Sequence, residues 1–202
     1  MSDLLPLFPL DLVLFPGATL PLHIFEPRYK EMIGECLALH SLFGVVRARE
    51  KGVAEVGCSA QVAQLVTTYD DGRMDILSEG RRRFRVLELD EERAFLRARV
   101  EWFDDEGGEA AGDERRALLE LHARLVSLSG AEATVPDPAQ PALSFELAAA
   151  LPLDLDFKQA LLGLRSEPER VRRMIEYYQV ILPGLERAVR ARKKAGGNGH
   201  SR

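Results

Sequence analysis

The sequence predicts an α+β protein, with a small antiparallel β-barrel or sandwich in its first half and helices in its second. Two observations carry this prediction. Short apolar or alternating runs, separated by turn signals, recur up to Phe103 with only one helical pattern among them. Leucines at helical spacing dominate the remainder. The 202 residues, 46% hydrophobic and 29% charged, suffice for one ordinary domain or two small ones.

Extended segments account for most of the first half. Asp71-Gly72 is a strong hairpin signal between two of them, whereas Glu79-Gly80 predicts the end of another. Gly44, inside a strand pattern, indicates a bulge or a close backbone approach. The predicted strands cover residues 4–8, 12–15, 20–25, 42–48, 57–69, 74–77, 83–89 and 95–103.

One helix is predicted within this half, beginning at Pro27, because proline suits the first helical position. Glu26 is expected to cap its N-terminus, where free N–H groups attract a carboxylate. Arg28 is expected to pair with an acidic side chain. The apolar face of the helix recurs at helical spacing and consists of Tyr29, Met32, Ile33, Cys36 and Leu37.

Composition divides the chain into four parts. Residues 1–104 form the barrel subdomain, an acidic and glycine-rich linker follows at 105–113, a helical bundle covers 114–192, and 193–202 is a basic disordered tail. Ser166 and Glu169 form a capping box that opens the last helix. Pro183 is expected to kink or break that helix.

Several function classes are disfavoured by composition. The net charge of −5 makes general nucleic-acid binding unfavourable. Two cysteines, Cys36 and Cys58, are too few for a disulfide framework or a four-thiolate zinc site, and we expect both to be reduced and buried. Residues 4–25 are apolar but interrupted by Asp11 and prolines, so neither a signal peptide nor a membrane span is expected. The cytoplasm is the expected location.

Catalytic motifs are missing from the sequence. There is no phosphate-binding loop of an NTPase, no H-E-x-x-H or C-x-x-C metal pattern, and no G-x-S-x-G nucleophile turn. We therefore expect no metal, cofactor or catalytic residue. His23 lies among apolar residues, and we expect a backbone carbonyl at the barrel rim to satisfy it.

Four arginines form the densest basic cluster of the folded part. They are expected on the solvent face of an alternating strand, balanced by acidic residues nearby, while a phosphate-binding patch is the alternative. The four are Arg81, Arg82, Arg83 and Arg85.

Residues 5–33, LPLFPLDLVLFPGATLPLHIFEPRYKEMI, resemble the opening of the Lon protease N-terminal (substrate-binding) domain family. Further segments also match that family's pattern, and the resemblance extends to about residue 192. These segments are Gly57 to Val62, Asp71 to Arg73 with Gly80 to Val86, Ala98 to Val100, Leu151 to Leu153 and Lys158 to Leu162.

The resemblance implies a PUA-like β-barrel followed by a helical bundle. In full Lon proteases this region precedes an ATPase module and a protease module with a Ser–Lys dyad. This chain is expected to lack both, as a stand-alone member of the family would, so we carry over no peptidase activity.

Three functions are compatible with the sequence. The leading one is a non-enzymatic module that binds unfolded or damaged polypeptides, as an adaptor, holdase-like partner or decoy regulator of a full-length Lon or another protease. Strand edges would accept an extended chain, and the candidate site residues are Phe15, His23, Phe25, Arg28 and Tyr29. Core packing is the competing interpretation of the three aromatic residues. RNA binding through the arginine cluster is the alternative by fold analogy, and a hydrolase with a dispersed site around His23 is the third.

Overall fold

The computed structural model describes residues 4–130, 136–137 and 139–197, with the backbone alone for 193–197. The strands are β1 Leu5–Leu10, β2 Thr19–Ile24, β3 Phe43–Ala48, β4 Val53–Thr68, β5 Met74–Asp90 and β6 Arg97–Phe103. The helices are α1 Pro27–Leu39, α2 Gly112–Ser129, α3 Leu143–Ala150, α4 Leu155–Gly163 and α5 Glu167–Gly197. The predicted mixed α+β class is confirmed.

The strands form one sheet that closes on itself. Their order is β2-β5-β4-β3-β1-β6, and β6 also pairs with β5, so five strands complete a barrel and β2 extends it from β5. The expected antiparallel pairing holds except between β1 and β3, which are parallel. Two parallel strands need a crossover connection, which here consists of β2 and α1.

The barrel core contains Leu5, Leu7, Val46, Phe84 and Ala98. The Phe84 ring occupies space that two glycines leave open. A Cβ atom on Gly44 or Gly57 would lie 2.7 or 2.6 Å from its Cζ atom. The sequence predicted a bulge or a close backbone approach at Gly44, whereas the nearest atoms belong to side chains of the core.

β5 is one long strand where the sequence predicted two. The segment Glu79-Gly80 was expected to end the first of them, but Gly80 lies inside β5. A Cβ at Gly80 would lie 2.1 Å from the carbonyl oxygen of Phe15, so glycine serves a close backbone approach and not a turn. The predicted strand at residues 12–15 is wrong, since that segment contains only bends and irregular backbone.

Helix α1 begins at Pro27 as predicted, and the buried residues Tyr29, Met32, Ile33 and Cys36 form the expected face. Glu26 stands at the N-cap position but makes no side-chain capping bond, so the predicted cap is wrong. The helix ends at Leu39, and the following residue, His40, takes a left-handed conformation (φ 50°) and donates its backbone N–H to the Cys36 carbonyl.

The chain divides into two compact units whose boundaries differ from the prediction. One unit comprises Met1–Asp105 together with Leu153–Gly163, and the other comprises Glu106–Pro152 and Leu164–Arg202. Helix α4 therefore belongs with the barrel and not with the predicted bundle at 114–192. Within the barrel unit, Asp156 accepts a hydrogen bond of 2.6 Å from Arg47, and Gln159 donates one of 2.9 Å to the Val56 carbonyl.

The second unit contains α2, α3 and α5, which bury the side chains Leu118, Leu125, Val171, Met174 and Tyr178. Within the predicted linker Ala110 is buried and α2 already begins at Gly112. Helix α5 continues through Pro183 to Gly197, so the predicted break is absent and the part of the expected tail at 193–197 is helical. Residues 198–202 lie outside the described residues.

The Ser166 half of the predicted capping box is present just before α5. The Ser166 hydroxyl accepts a hydrogen bond from the Glu169 backbone N–H at 3.4 Å. None of the helices in the described ranges is long and apolar enough to cross a membrane.

Candidate functional site

Alternation along β2 determines which of its side chains face solvent. Leu20 and Ile24 are buried, whereas Pro21 and His23 are exposed on the opposite face. Phe25 follows in the same alternation, and 59% of its surface is exposed. An aromatic side chain this exposed contributes little to the barrel core, so it is available for a contact with another molecule.

The strand order places a carboxylate and a phenol beside His23. His23 pairs with Asp75 of β5, and Asp75 pairs in turn with Thr67 of β4. The imidazole Nδ1 lies 2.6 Å from Asp75 Oδ1, and the Tyr69 hydroxyl donates to Asp75 Oδ2 over 2.6 Å. Hydrogen bonds from Tyr69 and His23 hold the pKa of Asp75 below its usual value.

His23, Phe25, Tyr69 and Asp75 thus form one surface feature, which we call the aromatic cluster. The His23 ring stacks on Phe25 at a centroid distance of 5.9 Å and meets the edge of Tyr69 at 5.9 Å. The Arg73 guanidinium lies 5.0 Å from the Tyr69 ring centroid. These contacts leave Phe25 and Tyr69 exposed.

The β4–β5 hairpin next to the cluster is also exposed and apolar in part. Every residue from 63 to 68 is exposed, including Leu65 and Val66. β4 pairs with β3 only as far as Ala60, so among the described residues the segment Gln61–Thr68 has β5 on one side and no strand on the other. Thr67 of this segment pairs with Asp75 of the aromatic cluster on the side opposite the free edge.

Two of the five predicted site residues lie in the core. Phe15 and Tyr29 are buried, and Tyr29 stacks on Phe8 at 4.0 Å, so neither offers a pocket at the surface. His23 and Phe25 are exposed, but His23 bonds to Asp75 and not to the expected backbone carbonyl. Arg28 is exposed and donates to Glu26 at 2.9 Å, which is the acidic pairing expected for it.

Tyr69 was missed from the sequence. It belongs to the cluster only because β2, β5 and β4 are adjacent in the sheet, which brings residues 23, 69 and 75 together. The hairpin signal at Asp71-Gly72 predicted the β4–β5 pairing, but nothing in the sequence predicted that β2 would pair with β5.

The arginine cluster is neutralised by carboxylates of the same unit. Arg81 pairs with Glu79, Arg82 with Asp104, Arg83 with Asp105, and Arg85 with Glu55. Arg83 is also buried, where it donates to the Leu162 carbonyl, so the expectation that it lies on the solvent face is wrong. Four cations already paired with four carboxylates attract a phosphate backbone only weakly.

An apolar groove of about 770 Å³ opens elsewhere on the barrel unit. Its walls come from the start of β1, the end of α1, the loop before β3, and β6. Arg93 and Arg97 lie at its polar side together with Glu35. Its apolar side chains include Leu4, Leu5, Leu39, Leu42, Val100 and Trp102.

The arrangement around His23 does not resemble a hydrolytic centre. Its described neighbours are Asp75, Phe25 and Tyr69, and the hydrogen bond to Asp75 raises the pKa of the Tyr69 phenol, which makes it a poor nucleophile. Over the described part of the chain, no three His, Cys, Asp or Glu side chains are grouped to hold a metal. Cys36 and Cys58 are both free and buried, as expected.

Comparison with known proteins identifies the family. Residues 4–180 match the family model described as the ATP-dependent protease La (LON) substrate-binding domain. A Lon protease of Parabacteroides distasonis is 29% identical over 145 residues, which are 67% of this chain and 18% of that protein. A Lon protease of Flavobacterium johnsoniae is 24% identical over 201 residues, 90% of this chain and 24% of that protein. The chain therefore spans less than a quarter of the length of these two relatives.

Solved structures agree with this assignment. The crystal structure of the Lon N-terminal domain protein from Xanthomonas campestris is similar with a TM-score of 0.72 and 27% identity, covering 87% of this chain and 98% of that one. The N-terminal domain of the Mycobacterium avium complex Lon protease shares the fold, with a TM-score of 0.62 at 19% identity, covering 88% and 98%. With 177 of its 202 residues inside the family model, the chain belongs to the substrate-binding domain family of the Lon protease.

Proposed function

We propose that this protein binds extended segments of unfolded or damaged polypeptides on the aromatic cluster, without catalysing a reaction. The observation that carries the proposal is the exposure of Phe25 and Tyr69 on one face, where hydrogen bonds join His23, Asp75 and Tyr69. Aromatic side chains make strong contacts with apolar residues because each buries a large apolar area and has few rotatable bonds.

The free edge of β4 supports the same function. An extended segment can add to a strand edge through backbone hydrogen bonds, which depend little on the sequence of the client. The segment from Gly57 to Tyr69 contains no charged residue and no proline, the two devices that commonly protect an edge. β2 differs, because Pro21 lies within its edge and removes one backbone donor.

We further propose a role in protein quality control in the cytoplasm, as an adaptor or regulator for a full-length Lon or another protease. Membership of the substrate-binding family supports polypeptide binding. The direction of the regulation can be measured from the degradation rate of an unfolded client by a purified Lon protease. An adaptor raises that rate when this protein is added, whereas a decoy lowers it.

Binding is tested by fluorescence anisotropy of a labelled, permanently unfolded polypeptide titrated with this protein. We expect saturable binding that Phe25→Ser weakens about fivefold, since the change removes roughly 1 kcal/mol of apolar contact. The matched control is Val180→Ser, which changes a side chain that is 77% exposed and lies in the other compact unit. An unfolded client that does not bind, or that binds equally to Phe25→Ser, contradicts the proposal.

Single-stranded RNA serves as the competitor in the same titration. Because each arginine of the cluster has a carboxylate partner, we expect RNA not to displace the client at physiological salt. Displacement by RNA that weakens as salt rises would instead favour the nucleic-acid alternative.

A further inference from the structure

The apolar groove is a second exposed feature of the barrel unit, separate from the aromatic cluster. Leu39, at the last position of α1, is 73% exposed, and Trp102, which also lines the groove, is 36% exposed. Phe25 lies two residues before the start of the same helix, so Phe25 and Leu39 lie about 20 Å apart along α1. One client residue cannot contact both.

The charged side chains of the groove lining are Arg93, Arg97 and Glu35, and carboxylates outside the lining add a surplus of negative charge beside them. Arg93 pairs with Glu31 and Glu35, and Arg97 pairs with Asp90 and Glu92. Four carboxylates therefore surround two guanidinium groups. The hydrogen bond from Arg93 lowers the pKa of Glu35, which keeps that carboxylate ionised.

The end of α1 adds to this negative potential. A helix C-terminus carries a partial negative charge from its unbonded carbonyl groups. The last turn of α1 contains no basic residue that would compensate it. Leu39 therefore combines an exposed apolar side chain with a backbone that attracts cations.

We propose that this groove is a second polypeptide-binding site, which takes a large apolar side chain flanked by Lys or Arg. The apolar walls accept the large side chain, since transfer of such a group out of water is favourable. The flanking cations are attracted by the surplus carboxylates and by the end of α1. The inference rests on the proposed function, because it names a class of segment within the polypeptides that the protein binds.

Three labelled peptides of identical length test the proposal. The first has one Trp flanked by Lys, the second has Glu in place of Lys, and the third has Ala in place of Trp. By fluorescence anisotropy we expect the first to bind about tenfold more tightly than either of the others at low salt. Rising salt should reduce the difference in affinity between the Lys peptide and the Glu peptide. Equal binding of the Lys and Glu peptides would overturn the proposal.

Variants of exposed residues locate the site without endangering the fold. Leu39→Ser should weaken binding of the Lys peptide about fivefold, whereas Leu87→Ser, which changes an exposed leucine outside the groove, should not. Glu92→Gln, which removes a carboxylate paired with Arg97 of the lining, should weaken binding about twofold, in contrast to Glu101→Gln, which changes an exposed glutamate of β6 that is not an ion-pair partner of Arg93 or Arg97. Unchanged binding by Leu39→Ser would overturn the assignment of the groove.

Two further outcomes separate this inference from the proposed function. If the unfolded polypeptide binds through Phe25 but the Lys peptide does not bind, only the inference fails. Phe25→Ser should leave binding of the Lys peptide unchanged, and a loss there would assign that peptide to the aromatic cluster. A wild-type dimer in sedimentation experiments that Leu39→Ser dissociates would mean that a second copy covers the groove, and would also overturn the inference.

Discussion

At the scale of single residues, the second compact unit depends on a buried polar network. Arg170 is fully buried and donates to Ser144 Oγ at 2.9 Å and to Glu167 Oε2 at 2.8 Å. Ser144 donates its hydroxyl to the same carboxylate oxygen at 2.5 Å. The buried charges of Arg170 and Glu167 thus bond to each other and to Ser144. Removing one of the two charges leaves the other buried without a counter-charge.

Replacing Arg170 with Met tests this network. We expect the change to lower the free energy of unfolding by about 3–5 kcal/mol, because Glu167 keeps its burial and loses its counter-charge. Arg173→Met is the control, since that exposed arginine pairs with Glu169 at 3.8 Å and should change stability by less than about 1 kcal/mol. Urea unfolding measures both, and similar effects in the two variants would contradict the prediction.

Cys58 should be chemically inert in the folded protein. Burial raises the pKa of its thiol to about 12 and leaves almost no thiolate at pH 8. We expect a thiol reagent such as DTNB to label neither Cys58 nor buried Cys36 at an appreciable rate until the protein is unfolded in denaturant. Rapid labelling of the native protein would contradict the burial of these side chains.

At the scale of strands, the continuity of β5 depends on Gly80. The Phe15 carbonyl oxygen would lie 2.1 Å from a Cβ at this position, so backbone atoms would have to move to admit any side chain. We expect Gly80→Ala to lower the free energy of unfolding by about 1–3 kcal/mol or more. Gly34→Ala is the matched control, because nothing lies within 4 Å of a Cβ there and alanine favours the helix by about 0.5–1 kcal/mol. In thermal unfolding we expect Gly80→Ala to lower the Tm and Gly34→Ala to raise it. A shift of the Tm in the same direction for both variants would contradict the prediction.

Helices α2 and α5 meet at a buried histidine. His122 Nδ1 lies 3.1 Å from the Tyr178 hydroxyl, and its buried Nε2 has no hydrogen-bond partner within the described part of the chain. Burial lowers the pKa of His122 in the folded protein. The unfolded state therefore binds the proton more tightly, and folding stability must fall as the pH drops below the unfolded pKa.

The pH dependence gives a direct measurement. From about pH 6.5 downward, the free energy of unfolding should fall by up to about 1.4 kcal/mol per pH unit until the folded-state pKa is reached. His122→Gln removes the titrating group, so its stability should depend less on pH over the same interval. Urea unfolding at pH 7 and pH 5 measures the free energy of unfolding of the wild type and the variant, and we expect it to fall more between these pH values in the wild type. Parallel pH profiles would contradict the assignment.

Local patterns predicted much of the fold, and long-range pairing determined the rest. An extended apolar run and Pro27 placed β2 and α1 correctly, whereas core packing of Phe25 remained open until the structure placed Phe25 outside and Ile24 inside. The break expected at Gly80 was wrong because the glycine accommodates a carbonyl 65 positions earlier in the chain, which no local pattern reveals. Tyr69 joined the site through the order of three strands, a property of the assembled sheet.

At the scale of the whole molecule, the division into units does not follow the chain. Residues 106–152 of the other unit lie between β6 and α4 in the sequence, yet α4 belongs to the barrel unit. Arg47 and Arg49 of that unit share the Asp156 carboxylate at 2.6 and 3.2 Å, and these pairs hold the pKa of Asp156 below its usual value. Arg83 donates to the Leu162 carbonyl at 3.0 Å.

A barrel fragment that ends at residue 105 should therefore be incomplete. It keeps all six strands but leaves the buried Arg83 without its Leu162 acceptor and Val56 without its partner Gln159. A second fragment, in which a Gly/Ser linker of about 20 residues joins 1–105 to 153–163, restores these contacts. We expect this fragment to unfold cooperatively and at a higher urea concentration than 1–105 alone. Asp156→Ala in the joined fragment should remove part of that gain, since it frees both Arg47 and Arg49. Equal unfolding midpoints for the two fragments would show that the barrel is complete at residue 105, and that α4 contributes nothing to its stability.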